Sequence, residues 1–307
     1  MSAQVAICLV THDNRDVIGR ALDAVLAQEG VAVEVHVWDN ASRDGTLDEV
    51  ARRAGVVVHA SPINLGFCAA NNELVQATGA PYVLFLNPDT ALRPDCLRLL
   101  FAALEAAPPR VAAVGPKLLR SDEAGASVID STGMMLSKKN LSPCDRGQGE
   151  IDRGQYDRPG EYFGPSLACA LFRREAIAAL SLDGKLLDES FFAYYEDVDL
   201  AWRARRLGWT FLYEPRAVCL HRREHPHAHG PTLAARAFVN RYLLLIANED
   251  GADGLGYLWR LVPRELARLI WLSLSIRGFG IAWRMLHDGW RGAWTKRRLL
   301  AARAGSA

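Results

Sequence analysis

The sequence predicts an α/β fold in which a mostly parallel sheet is flanked by helices. Short β-branched runs alternate with helical periodicity over the first hundred residues, which is the pattern of strands joined by crossover helices. Polar clusters follow the runs that are predicted to be strands. The chain has 307 residues, half of them hydrophobic, which is enough for one large domain with an appendage or for two small domains.

Each predicted element follows from its periodicity and its flanking residues. The strands are predicted at 5–10, 33–38, 56–59 and 82–86, with a further strand at 210–213. The helices are predicted after Asn14, at 44–53, 66–78, 94–106 and 197–207, and over most of 232–300. Residues 137–160 are rich in Gly, Pro, Asp and Arg and predict a long polar loop, of a kind that often covers a substrate.

Polar clusters follow the first four predicted strands, at the edge where open α/β sheets bind ligands. They are Thr11-His12-Asp13, the run from Asp39 to Thr46, Asn64-Leu65-Gly66-Phe67 and Asn87-Pro88-Asp89. Each cluster alone suits a turn or a helix cap. Four clusters along one edge favour a polar ligand pocket.

Phosphate-binding loops offer no explanation for that pocket. The sequence has neither a Gly-x-Gly-x-x-Gly run after the first strand nor a Gly-Lys-Ser/Thr loop. A bound diphosphate would need another counter-charge, and a divalent cation held by carboxylate supplies one. Asp89, at the end of the fourth strand, is the best single candidate for holding it.

An acidic, aromatic segment precedes the helix predicted at 197–207. Glu196, Asp197 and Asp199 stand at its start, where acids also serve as ordinary caps. The four rings before them (Phe191, Phe192, Tyr194 and Tyr195) favour a base that handles a sugar hydroxyl. The helix start is expected to keep Asp197 ionised.

Histidines follow the next strand-like run. His221 ends that run on the presumed ligand edge, whereas His225, His227 and His229 have the spacing of loop histidines and no cysteine nearby to complete a zinc site.

The last fifty residues are basic and rich in tryptophan. Residues 255–307 hold ten Lys/Arg against two acids, so this tail carries +8 and the rest of the chain −7. Five of the eight tryptophans lie there, and indole rings interleaved with arginines favour an anionic membrane surface. A helical pair packed on the catalytic domain is the alternative, and no nucleic-acid motif accompanies the charge.

The polar clusters, in this order, resemble glycosyltransferase family 2, and within it the bacterial rhamnosyltransferase-like branch. The resemblance covers about the first 220 residues. It is carried by Val10-Thr11-His12-Asp13, the Asp39–Thr46 run, Asn64-Leu65-Gly66-Phe67 with Asn71-Asn72, Leu86-Asn87-Pro88-Asp89 and Glu196-Asp197-Val198-Asp199-Leu200. It implies the GT-A, Rossmann-like fold, with a catalytic domain at 1–230. Residues 231–307 are predicted from their composition to form an amphipathic helical appendage, basic and rich in tryptophan, that associates with the membrane.

The resemblance also implies roles for individual residues. Asp197 would be the catalytic base, with Tyr195 and Glu196 on the acceptor side. Asp89 would hold Mg²⁺ or Mn²⁺, and His221 would be a further ligand of that metal or a contact of the diphosphate. The donor nucleotide sugar would contact the residues at the strand ends: Thr11, Asp13, Asp39, Asn64, Gly66, Asn87 and Asp89.

The activity implied is that of an inverting, metal-dependent hexosyltransferase in cell-surface polysaccharide synthesis. It would carry L-rhamnose from dTDP-rhamnose to a glycan or lipid-linked acceptor. The alternatives are a UDP-hexose or UDP-galactofuranose donor, or a non-catalytic sugar-nucleotide-binding protein of the same fold.

The expected location is the cytoplasm, peripheral to the inner face of the cell membrane, with no nucleic-acid partner. No signal peptide or uninterrupted apolar span is read, and the six cysteines show no Cys-x-x-Cys pair.

Overall fold

The computed structural model describes residues 3–121, 127–137, 143–223, 231–249 and 276–304. A ten-stranded sheet forms the centre of the molecule, and helices pack on both of its faces. Six of the eight strands along its main path run in one direction, because only β10 and β11 are antiparallel to their neighbours on that path. The predicted class, an α/β fold with a mostly parallel sheet, is confirmed.

The strand order places the predicted strands side by side. The main path of the sheet is β10-β12-β6-β11-β4-β1-β2-β3, with β5 beside β12 and β7 beside β6. The strands are β1 (Val5–Thr11), β2 (Val33–Asn40), β3 (Val56–Ser61), β4 (Tyr82–Leu86), β5 (Thr90–Leu92), β6 (Val111–Ser121), β7 (Ser127–Ser131), β8 (Met134–Leu136), β9 (Pro143–Asp145), β10 (Gly160–Glu161), β11 (Cys169–Arg173) and β12 (Thr210–His221). Because β1 to β4 are mutually parallel neighbours, the four polar clusters lie along one edge.

Helices cover both faces of the sheet with apolar side chains. They are α1 (Arg15–Leu26), α2 (Thr46–Ala51), α3 (Gly66–Ala77), α4 (Cys96–Glu105), α5 (Arg174–Leu180), α6 (Glu196–Arg206), α7 (Pro231–Asn248) and α8 (Ile276–Ala304). The core on one face includes Ile18 and Leu22 of α1, and the core on the other includes Leu74 of α3 and Leu200 of α6. Each such buried side chain contributes about 1.5–3 kcal/mol of transfer free energy.

Strand β12 joins into one strand the two runs predicted separately, at 210–213 and just before His221. The pairing of β12 with β6 shifts register between Glu214 and Val218, around Pro215, and then resumes. Proline has no N–H to donate to the sheet, so the chain bulges there instead of ending the strand. The continuation carries His221 to the sheet edge, opposite Thr90 of β5.

The segment predicted as a long polar loop, 137–160, consists mostly of turns where it is described, with the short strand β9 near its start. Strand β9 pairs with β8, and the N–H of Ile129 donates to the carbonyl of Glu150 at 2.8 Å. Residues 138–142 lie outside the described residues. Backbone hydrogen bonds therefore fasten this loop to β7, which its polar composition did not predict.

The C-terminal helices pack against the rest of the fold. Val239 and Leu243 of α7 and Ala293 of α8 are buried in the same core as α6. No helix among the described residues is long and apolar enough to cross a membrane. Residues 250–275, with Trp259, Trp271 and three of the basic residues of the tail, lie outside the described residues, as do His225, His227 and His229.

Candidate active site

Two predicted donor-binding residues, Thr11 and Asp39, are neighbours at the ends of β1 and β2. The parallel register pairs them directly, and each is 1% exposed. Oδ2 of Asp39 accepts a hydrogen bond from the Ser42 N–H at 3.0 Å. Its buried Oδ1 has no partner among the described residues. A buried carboxylate oxygen without a partner is costly, so it marks a place where a ligand hydroxyl can donate.

Asp13 and Asn64 make contacts that suit local structure. Asp13 has a left-handed backbone, with φ of 52°, and its carboxylate accepts from the Arg43 N–H at 2.7 Å. This contact ties the loop after β1 to the loop after β2. The exposed Asn64 accepts from the Gly66 N–H at 2.8 Å. Donor binding by both residues stays a prediction.

Gly66 packs against the aromatic segment before α6. Its φ of 82° is one that side chains rarely adopt, and a β-carbon there would overlap the ring of Phe192. The N–H of Phe67 donates to the Phe192 carbonyl at 2.7 Å, so the start of α3 is closed by that segment. The sequence interpretation had assigned Gly66 to the donor alone and missed this packing role.

Asp89 and His221 face each other at the centre of the sheet edge. Oδ1 of Asp89 lies 3.4 Å from Nε2 of His221, and Nδ1 of His221 lies 2.7 Å from Oδ2 of Asp130. Burial lowers the pKa of His221, but the hydrogen bonds to Asp130 and Asp89 outweigh it and raise the pKa to about 10. Asn87, which precedes Asp89, fixes the turn, because its carbonyl accepts from the Thr90 hydroxyl at 2.6 Å.

The Asp89–His221 pair fits a divalent cation, which would take the place of the proton on Nε2 of His221. Two ligands at about 2.1 Å from one ion and on adjacent positions are separated by roughly 3–3.4 Å, which matches this pair. Asp130 holds the other imidazole nitrogen, as carboxylates do behind metal-binding histidines. Among the described residues no group of three or more such side chains forms a metal site. Two protein ligands suit a cation that takes its remaining ligands from a diphosphate and water.

Asp130 is a site residue that the sequence interpretation missed. It is 1% exposed in β7, and Arg223 donates to its second oxygen at 3.0 Å. Arg223 also donates to Asp145 of β9 at 3.1 Å. The only signal was a lone acid inside the apolar run Val128-Ile129-Asp130, which by itself predicts no partner.

Asp197 lies in a pocket of about 230 Å³ on the other side of Arg223. Tyr194, Tyr195, Glu196 and Asp145 also line this pocket, so the predicted acceptor-side residues surround the predicted base. The Val198 N–H donates to Asp197 at 2.8 Å. Arg223 thereby joins the Asp89–His221 pair to the Asp197 pocket.

Asp197 does not have the lowered pKa that its place at a helix start predicted. Burial, together with the charge of Asp145, raises its pKa above the ordinary range for aspartate, and the hydrogen bond from Val198 only partly offsets this. Burial and the charge of Asp197 likewise raise the pKa of Glu196. Desolvation outweighs the helix dipole here. A carboxylate with a raised pKa is a stronger proton acceptor than an exposed one.

The turn before Asp197 is held in an unusual backbone conformation. Phe192, Tyr194 and Tyr195 have φ of 62°, 71° and 72°. Non-glycine residues adopt such angles only where surrounding contacts hold them, and they concentrate at functional sites. The side-chain nitrogen of Asn240, on α7, lies 2.9 Å from the carbonyl oxygens of Phe191, Ala193 and Tyr194.

This fold and this arrangement of strand-end acids define a GT-A glycosyltransferase. Two solved structures share the fold. A crystal structure of GalNAc-T7 with UDP, GalNAc and Mn²⁺ matches with a TM-score of 0.62 at 13% identity. The match covers 81% of this chain and 48% of the GalNAc-T7 chain, so this chain spans about half the length of GalNAc-T7. The mannosyltransferase PcManGT from Pyrobaculum calidifontis, in complex with GDP-Man and Mn²⁺, matches with a TM-score of 0.56 at 16% identity, over 99% and 86%.

The chain belongs to glycosyl transferase family 2, whose family description matches residues 6–180. It is 30% identical over 275 residues to the N-acetylglucosaminyl-diphospho-decaprenol L-rhamnosyltransferase of Mycobacterium tuberculosis, covering 76% of this chain and 82% of that protein. The predicted resemblance to the rhamnosyltransferase-like branch is confirmed.

Proposed function

We propose that this glycosyltransferase transfers L-rhamnose from dTDP-rhamnose to a hydroxyl of a lipid-linked glycan, with inversion at the anomeric carbon. The mycobacterial relative supports the sugar and the class of acceptor by its name. The observation that carries the catalytic part is the pocket in which Asp197, with its raised pKa, lies beside Arg223. Arg223 contacts Asp130, which in turn contacts His221 of the Asp89–His221 pair.

The donor is proposed to lie along the sheet edge. The unpartnered Oδ1 of Asp39 would accept from a ribose hydroxyl, with Thr11 beside it. Asp89 and His221 would hold Mg²⁺ or Mn²⁺, which when bound neutralises charge on the diphosphate. The Mn²⁺ in the two structures of like fold supports a divalent cation.

The chemical step is a single displacement. Asp197 takes the proton from the acceptor hydroxyl as that oxygen attacks the anomeric carbon, and the bond to the nucleoside diphosphate breaks on the opposite face. The proton ends on Asp197 and the electron pair of the broken bond on the leaving diphosphate. Attack opposite the leaving group inverts the configuration.

Helix α8 supports attachment to an anionic membrane surface. Trp283, Trp290 and Trp294 are 64%, 41% and 43% exposed, and their spacing places them on one face of the helix. The exposed Arg284, Arg291 and Arg298 recur every seven residues beside them. Indole rings at the headgroup level and arginines near anionic lipid suit an interfacial helix. Such a surface would bring the enzyme to a lipid-linked acceptor at the inner face of the cell membrane.

A donor screen tests the proposal. Purified protein with Mn²⁺ is given dTDP-rhamnose, UDP-galactose, UDP-glucose or UDP-galactofuranose and a GlcNAc-diphospho-lipid acceptor, and product formation and nucleoside diphosphate release are measured. Transfer from dTDP-rhamnose is expected, and it should be much slower in the Asp197→Asn variant. Preference for a UDP donor would contradict the rhamnose assignment, and binding of donors without any transfer would favour a non-catalytic protein.

A further inference from the structure

The C-terminal helix α8 places a buried lysine beside two acids of the segment 188–199, which contains Asp197 and the turn before it. Lys296 is 6% exposed, and its Nζ lies 2.6 Å from Oδ2 of Asp199 and 2.9 Å from Oδ2 of Asp188. A buried ammonium is stable only when it is paired and hydrogen-bonded, and these two carboxylates pair it. Lys296 therefore adds nothing to the basic surface of the tail.

Asp199, the last acid of the Glu-Asp-Val-Asp run, is occupied entirely by such contacts. It is fully buried, and its Oδ1 accepts from the side chain of Asn248, at the end of α7, at 2.7 Å. Arg203 of its own helix lies 3.5 Å from Oδ2. Three helices, α6, α7 and α8, meet at this carboxylate, so Asp199 cannot serve as a base for substrate.

Asp188 begins the segment that leads to Asp197. One oxygen of Asp188 accepts a hydrogen bond from the Ser190 N–H at 3.0 Å and so caps the short 3₁₀ helix Glu189–Phe191. The other oxygen contacts Lys296. Burial alone would raise the pKa of Asp188, but Lys296 and Ser190 outweigh it and lower the pKa to about 2. The carboxylate is therefore charged and paired at any physiological pH.

Lys296 thus fastens both ends of the segment 188–199, and Asn240 fastens its middle through the carbonyls of Phe191, Ala193 and Tyr194. The left-handed residues of this segment lie between these contacts. Both fastening residues lie on the C-terminal helices, outside the residues 6–180 that match the family description.

We propose that Lys296 and Asn240 are positioning residues that hold the turn before Asp197, so that α7 and α8 complete the acceptor side of the active site. This inference rests on the proposed role of Asp197. The tail then has two roles on two faces of one helix: the buried face sets the catalytic turn, and the exposed face carries the tryptophans.

The test compares Lys296→Met with two matched variants of α8. Lys296→Arg keeps the charge, and Asp288→Asn removes a charge from an exposed side chain of the same helix. Steady-state constants are measured with a short, water-soluble GlcNAc acceptor and the preferred donor, and hydrogen exchange is followed in the segment 188–199. Since displacement of a catalytic group by about 1 Å costs on the order of a hundredfold, Lys296→Met should lower kcat about ten- to a hundredfold and raise the acceptor KM. The donor KM should stay within about twofold.

The variants separate positioning from simple stabilisation. Exchange in 188–199 should become faster in Lys296→Met while β1 and β4 stay protected. Lys296→Arg should recover most of the turnover, and Asp288→Asn should behave as the wild type. Folded Lys296→Met with wild-type kcat, acceptor KM and exchange would overturn the inference.

Two further variants cover a failure to fold. If Lys296→Met does not fold, Asp188→Asn is measured in its place. This variant keeps an oxygen for Ser190 but loses the ion pair with Lys296, so it should show the same changes in kcat, acceptor KM and exchange. Asn240→Leu should show these changes as well. If the wild type transfers no sugar from any donor, the proposed function fails, whereas the exchange comparison still decides whether Lys296 and Asn240 hold the turn.

Discussion

Nε2 of His221 lies 3.4 Å from Oδ1 of Asp89, although Asp89 lies in the turn between β4 and β5 and His221 is the last residue of β12. The pair predicts a cation-dependent donor site. Asp89→Ala should abolish the part of donor affinity that depends on Mn²⁺, because the diphosphate would then lack a fixed counter-charge.

Calorimetry with dTDP-rhamnose, with and without Mn²⁺, measures how much of the donor affinity depends on the cation. Asp95→Ala is the matched control, because Asp95 is an exposed acid next to the same segment of chain and pairs only loosely with Arg98 at 3.9 Å. Donor binding that chelator and Asp89→Ala both leave unchanged would rule out the site.

The raised pKa of Asp197 predicts a pH dependence. A general base acts when it is deprotonated, so kcat/KM should rise with pH through the raised pKa of Asp197, nearer neutrality than the ordinary range for aspartate. Asp145→Asn removes a negative charge that raises this pKa, so the acid limb of the profile should move to lower pH.

Glu150→Gln in the same segment is the control for Asp145→Asn, because Glu150 contacts Gln155 and Tyr156 rather than the pocket. The measurement is the profile of kcat/KM against pH for the wild type and for both variants. An acid limb that does not move in Asp145→Asn would show that another group titrates.

The contact of Gly66 with Phe192 predicts a stability difference between two glycines. Gly66 and Gly55 share the same backbone angle, φ of 82° and 83°, but a β-carbon at Gly55 meets nothing within 4 Å. Gly55→Ala should cost only backbone strain, about 1 kcal/mol. Gly66→Ala should lower the free energy of unfolding by roughly 2–4 kcal/mol, because it must also displace the ring. Urea unfolding of both variants measures this, and equal losses would contradict the packing role of Gly66.

The exposed indole stripe of α8 predicts membrane binding that point variants can remove. Replacing Trp283, Trp290 and Trp294 with alanine should abolish flotation with anionic vesicles, and salt should weaken the binding of the wild type. Thr295→Ala, exposed on the same helix, is the control. Truncating the tail is a poorer test, because it also removes Lys296. Flotation of the triple variant at wild-type levels would remove the hypothesis.

Much of the fold could be predicted because its signals are local. β-branched runs and helical spacing define β1 to β4 and α1 to α4, and parallel order alone brings Thr11, Asp39 and Asp89 to one edge. The bulge at Pro215 could not be predicted, because a proline inside a strand usually ends it.

The missed site residues reach the site only through tertiary packing. Asp130 and Asp145 arrive on β7 and β9, in or next to a stretch whose composition predicted a loop. Lys296 contacts Asp199 across 97 residues of sequence, and Asn240 contacts the turn across 46 to 49. In the sequence, Lys296 belonged to a basic tail and Asn240 to a predicted helix. No periodicity distinguishes a buried partner from a solvated one.

The assignment of Asp197 as the base is the central claim, and Asp197→Asn tests it most directly. Asparagine has nearly the same shape but cannot take a proton. We expect donor affinity, measured by calorimetry with Mn²⁺, to stay within about twofold, while kcat with the GlcNAc-diphospho-lipid acceptor falls by on the order of a hundredfold or more. Glu196→Gln, measured in parallel, should retain most of its turnover. Wild-type turnover in Asp197→Asn together with loss of turnover in Glu196→Gln would contradict the assignment and move the role of base to Glu196.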